Sequence, residues 1–123
     1  GTRNDIQVNC SNQELLSLPS CVNTWTTSLD LSFVSRLELN STTFSHLEKL
    51  IILKMQNASV GSTAPGDVFS SQPTLELLDI RGISLRVLNS TIFNPLVNLT
   101  RLFVMQSTCA GRAVSDLVIL CWH

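Results

Sequence analysis

At 123 residues, 44% of them hydrophobic, the chain is long enough to bury one core and too short for two ordinary domains. A formal net charge of -1 without any block of like charges offers no field to hold a phosphate backbone, so nucleic acid is not an expected partner. No apolar run approaches the roughly 18 to 20 residues of a membrane span, and the chain does not open on a signal segment, so a secreted chain would already have lost one.

In chain order, the first 25 residues hold Cys10 and Cys21, with Leu15, Leu16 and Leu18 between them. The pattern Leu-x-apolar then appears four times, as Leu29-Asp30-Leu31, Leu53-Lys54-Met55, Leu78-Asp79-Ile80 and Leu102-Phe103-Val104, spaced by 24, 25 and 24 residues. A second series, Phe44, Phe69 and Phe93, runs in phase, and Leu47 and Leu96 each follow a Phe by three residues. A third, Leu50, Leu75 and Leu99, precedes each later strand. Leu-x-apolar in a short strand sends both apolar side chains to one face. One such strand cannot bury that face, but stacked copies can, because successive turns share a continuous core. The Phe-bearing stretches then return the chain along the convex side as irregular or 3₁₀ turns, in keeping with Pro65, Gly66, Pro73 and Pro95. Residues 113–122 are apolar enough to cover the last turn.

Two signals mark the compartment. Five Asn-x-Ser/Thr sequons stand at Asn9, Asn40, Asn57, Asn89 and Asn98. The four Cys lie as Cys10 with Cys21 near one end and Cys109 with Cys121 near the other, an even count that suits disulfides. Four Cys permit three pairings. Local pairs closing small loops at both ends, Cys10–Cys21 and Cys109–Cys121, suit a chain whose termini need sealing. An extracellular location follows, as a secreted protein or the ectodomain of a membrane receptor.

These residues resemble the leucine-rich-repeat family, and the 24-residue period with Phe on the convex side is similar to Toll-like receptor ectodomains. Val8 to Pro19 is similar to the family's N-terminal cap, in which a Cys is followed by a Leu-x-x-Leu-Pro-type strand. The resemblance implies an α/β solenoid. It would be a horseshoe segment with short parallel strands on the concave face, irregular or 3₁₀ convex returns and disulfide-stabilised end caps. Within one domain, residues 1–25 would be the N-terminal cap, 26–108 about four repeats and 109–123 a short C-terminal cap. The family's usual Asn after each strand is replaced by Val34, Ala58, Ile83 and Ser107, so looser turns are expected there.

Catalytic chemistry finds no footing. The two His, His46 and His123, fall on a convex return and at the terminus, with no nucleophile and oxyanion site beside them. Cys121 and His123 lack the spaced second pair a tetrahedral metal site needs, so no metal or cofactor is expected. Asp30 and Asp79, at equivalent strand positions with Lys54 between them, read as surface charge patterning. The concave face remains. Its residues are Ser28, Asp30 and Ser32; Ile52, Lys54 and Gln56; Leu77, Asp79 and Arg81; and Arg101, Phe103 and Met105. Ile52, Leu77, Phe103 and Met105 form a diagonal apolar patch rimmed by Lys54, Arg81 and Arg101, the expected partner site. A glycan at Asn57 would push binding toward the later repeats. The resemblance implies a receptor domain for innate-immune pattern recognition, taking a protein or microbial ligand on its concave or lateral surface, with possible homo- or hetero-dimerisation. A structural or adhesive module that binds matrix or a sister protein would use the same fold.

Overall fold

The computed structural model describes residues 5–60, 68–83, 90–105 and 118–122. Its elements are β1 (Gln7–Asn9), β2 (Ser28–Asp30), β3 (Ile52–Lys54), β4 (Leu77–Asp79), a 3₁₀ turn (Ser90–Phe93), β5 (Arg101–Met105) and β6 (Val118–Trp122). All pair in parallel in the order β1-β2-β3-β4-β5-β6, so each turn of chain adds one strand beside the last. Leu29, Leu53, Leu78 and Leu102 are direct cross-strand partners, as their spacing requires, and Val8 and Ile119 extend that row at the two ends. The stretch expected to cover the last turn thus supplies a strand of its own.

The register is locked on both sides of the strands. Before them, the carbonyls of Ile6, Thr27, Ile51 and Glu76 each accept two successive N–H groups of the next turn at 2.7–3.1 Å. After them, the Leu31, Met55 and Ile80 amides donate to Lys54, Asp79 and Phe103. Backbone donors that a three-residue strand would strand in the core are thereby paired. Leu29, Leu31, Leu53, Met55 and Leu78 point inward and are fully buried, each worth roughly 1.5 to 3 kcal/mol against exposure.

The turns at Val34, Ala58 and Ile83, which lack the expected Asn, are regular, not loose; Ser107 lies outside the described residues. Phe33, Asn57 and Gly82 occupy one repeat position, and all three hold positive φ, at 61°, 55° and 73°. Their left-handed turn lets the Val34, Ala58 and Ile83 amides reach back to Leu31, Met55 and Ile80 at 3.2–3.4 Å. Val34 and Ala58 then drop into the core. An apolar side chain at that position exchanges the Asn hydrogen bonds for burial, and the tight turn satisfies the freed amide.

The N-terminal cap also departs from expectation. Its strand lies before Cys10, not after it, because Val8 is the residue that completes the Leu29 row. Leu15 and Leu18 pack half-buried against the core without forming a strand, and Leu16 is 64% exposed.

On the convex side Phe44 and Phe69 stack at 5.9 Å between ring centroids, while Phe93 is half-buried beside a buried Ile92. Among the described residues the returns contain no α-helix. Gln72 stands in the row of Leu47 and Leu96 and is fully buried, donating Nε2 hydrogen bonds to the Phe44 and Leu47 carbonyls. Among the described residues its Oε1 has no partner. Both carbonyls also accept backbone amides, from Leu47 and Leu50, so they do not depend on Gln72. Gln72→Leu is therefore expected to stabilise the domain by about 1 kcal/mol, since it removes an orphaned acceptor without creating another. Gln72→Ala, which leaves a hole in its place, should destabilise it; paired thermal melts decide the sign.

Candidate binding face

Two columns of side chains line the concave sheet. One runs Ser28, Ile52, Leu77, Arg101 and the other Asp30, Lys54, Asp79, Phe103, each in direct cross-strand register. Ile52, Leu77 and Phe103 are half-buried, Lys54 and Arg101 exposed. The expected diagonal is present, but its aliphatic members are partly covered by their neighbours. The side chain of Met105 lies outside the described residues.

Asp79 is not surface charge. It is 2% exposed, and its carboxylate is enclosed by donors: Gln56 Nε2 at 2.7 Å, Arg81 Nε at 3.0 Å and Nη2 at 2.8 Å, and the Arg81 amide at 3.2 Å. A buried carboxylate survives in this form because every lone pair it turns inward meets a donor. The forked contact also holds the Arg81 guanidinium above its ordinary pKa. Arg81 is thus no free rim cation. Its charge is matched by Asp79, and its guanidinium lies over the Phe103 ring, 5.1 Å from the centroid. The network from Gln56 through Asp79 and Arg81 to Phe103 spans three strands and fixes the aromatic edge of the face.

The motif behind it recurs. Asp30, at the equivalent place, accepts the Ser32 amide at 2.9 Å as Asp79 accepts that of Arg81. Both are Asp two residues before a backbone amide at the mouth of a left-handed turn, a local bond that Asp is suited to make. Ser32, expected on the face, is buried and accepts the Gln56 amide through Oγ at 3.2 Å.

Elsewhere, the exposed His46 donates from Nε2 to the Val22 carbonyl at 3.0 Å and so ties the first convex return to the cap. Lys49 covers the exposed Trp25 ring at 5.3 Å. Cys10 and Cys21 are free thiols lying against each other, and burial first, then the neighbouring Cys21, pushes the Cys10 thiol up from its ordinary range. Cys109 and the side chain of Cys121 lie outside the described residues, as does Asn89. The other four sequon asparagines, Asn9, Asn40, Asn57 and Asn98, are exposed. Asn57 Oδ1 fits into the space left by Gly82, where a Cβ would clash with it. No cluster of three or more His, Cys, Asp or Glu that could hold a metal ion occurs among the described residues.

A parallel ladder with one strand per turn and Leu rows in register defines the leucine-rich-repeat solenoid fold, a scaffold typical of binding proteins. No protein-family model matches the sequence, and no curated protein matches it. Among solved structures, human 5T4 (Wnt-activated inhibitory factor 1, trophoblast glycoprotein) superposes on 94% of the chain with a TM-score of 0.71 at 20% identity. At that identity the likeness is one of fold. The chain spans about half, 49%, of that structure.

Proposed function

We propose that this domain works outside the cell as a non-catalytic recognition module, binding a protein or microbial ligand through the concave side of its later repeats in innate-immune pattern recognition of the Toll-like receptor type. The observation that carries the reading is the Phe103 ring held face-on by Arg81, which the buried Asp79 anchors in turn. Aromatic and Arg side chains dominate binding energy in interfaces, and a pair already immobilised loses little further freedom on binding. Ile52 and Leu77 continue the apolar surface, with Lys54 and Arg101 as exposed cations at its margin. The exposed sequons suit secretion, and in an oxidising exterior the touching Cys10 and Cys21 thiols would close into a disulfide, with Cys109–Cys121 as its counterpart.

The test is titration of the folded protein against solubilised bacterial cell-wall preparations, with Phe103→Ala and Arg101→Ala variants. Phe103→Ala should weaken binding by about 1 kcal/mol or more, and the convex Glu48→Ala should change nothing measurable. Equal binding by Phe103→Ala would move recognition off this face. A structural or adhesive module, docking matrix or a sister protein laterally, is the second reading. It is favoured by apolar residues exposed away from the concave columns, Phe33 at 55% and Val97 at 77%. Binding to a second leucine-rich-repeat ectodomain that survives Phe103→Ala would support it.

A further inference from the structure

We infer that the cleft between the N-terminal cap and the first convex return is a seat for the chain's own N-linked glycan, carried on Asn40. The inference rests on the extracellular reading above. The cleft, of about 340 Å³, is lined from the cap by Leu16, Ser17 and Leu18 and from the return by Glu38, Asn40 and His46, among others. Asn40 stands in its wall with the carboxamide already oriented. Oδ1 accepts the Thr42 amide at 2.8 Å and the Thr42 hydroxyl at 2.5 Å, both within the Asn40-Ser41-Thr42 sequon. The Asn40 amide is fixed in turn by Thr43 Oγ1 at 2.9 Å. Nδ2 has no hydrogen bond among the described residues, so the atom that bears the sugar is free. Transfer forms the Nδ2–C1 bond, breaks the bond from C1 to the pyrophosphate of a lipid-linked donor and releases one Nδ2 proton. It leaves both Oδ1 contacts intact.

The walls match a saccharide. A pyranose ring has apolar C–H faces and a hydroxyl edge; Leu16, 64% exposed with no protein to cover it, offers an apolar surface, and the Glu38 carboxylate accepts hydroxyls. A sugar seated there shields Leu16 and adds a bridge between two segments that His46 already ties through its bond to Val22. Asn98 also lines a cleft, with Ile51, Thr74, Glu76 and Thr100, but there Nδ2 donates to the Pro73 carbonyl at 2.6 Å, so the atom that would bear the sugar is engaged. Asn9 and Asn57 line neither cleft, which makes Asn57 the internal comparator.

The experiment uses protein secreted from mammalian cells that add only oligomannose glycans. Glycopeptide mass spectrometry first establishes occupancy at Asn40 and Asn57. Endoglycosidase H is then applied to the folded protein and release is followed site by site. A seated glycan must lift before it is cut, so release at Asn40 should be at least about fivefold slower than at Asn57, and the two rates should converge after denaturation. Leu16→Ser, a change at an exposed position, should speed release at Asn40 and leave Asn57 unaltered. An occupied Asn40 cut as fast as Asn57 overturns the seat while leaving the extracellular reading in place. An unoccupied Asn40 beside an occupied Asn57 overturns the seat alone, and emptiness at every sequon overturns both.

Discussion

Asp79→Ala is expected to destabilise the domain by about 2 to 3 kcal/mol, more than any other change at the concave face. The carboxylate accepts from Gln56, from two nitrogens of Arg81 and from the Arg81 amide, and it is 2% exposed. Alanine strips these donors of their acceptor at once. The usual cost of breaking a buried ion pair, about 3 to 5 kcal/mol, is lessened because the Arg81 side chain is 30% exposed and water can recover part of its solvation. Asp79→Asn keeps the volume and one acceptor oxygen, so it should cost less. Chemical denaturation of the two variants, with Arg81→Ala and the Asp79→Ala/Arg81→Ala double variant closing a cycle, measures the coupling, expected at about 1 to 3 kcal/mol. Additive single changes would mean that the ion pair contributes nothing. The variant also bears on binding, because a guanidinium released from Asp79 loses its fixed position over Phe103.

How much of this was legible in the chain differs between the core and the face. The rows of Leu29, Leu53, Leu78 and Leu102 were readable because a solenoid repeats its inward positions at a fixed period, and pairing in register follows from that period. Alternation within the strand put Asp79 correctly on the concave side, yet it could not show that Gln56 and Arg81 close over the carboxylate. That burial depends on side chains from the strand ends folding back. A signal existed in the recurrence of Asp two residues before the turn, at Asp30 and Asp79. The left-handed turns were half legible: Asn57 and Gly82 are residue types that tolerate positive φ, whereas Phe33 is not. Aligning all three by the period would have exposed the rule. Gln72 was hidden for the opposite reason, since only its position among Leu47 and Leu96 betrays that it is buried. The cap strand was misplaced because the Leu-rich stretch after Cys10 looked more strand-like than Gln7–Asn9, whose single inward residue, Val8, is enough.

Leu53→Ala should be the most costly single substitution, at about 3 to 4 kcal/mol. Leu53 is fully buried and lies between Leu29 and Leu78 in the middle of the ladder, so the space it vacates is bounded by rigid backbone on both sides and cannot collapse. In a chain of this size each kcal/mol lowers the melting point by roughly 3 to 5 °C, which puts the loss well within a thermal scan. Leu53→Met, close in volume, should cost less than about 1.5 kcal/mol and shows that shape, not mere apolarity, sets the difference. The truncation to alanine at the edge, Val8→Ala, should cost about 1 kcal/mol, because it removes a smaller side chain and Val8 is only half-buried, with a strand on one side alone. A solenoid is stabilised turn against neighbouring turn, so the cost of removing one rung should rise from the edge to the middle. Equal losses for Val8→Ala and Leu53→Ala would mean that the rungs do not form one continuous core, and the register that aligns the concave columns would lose its physical basis.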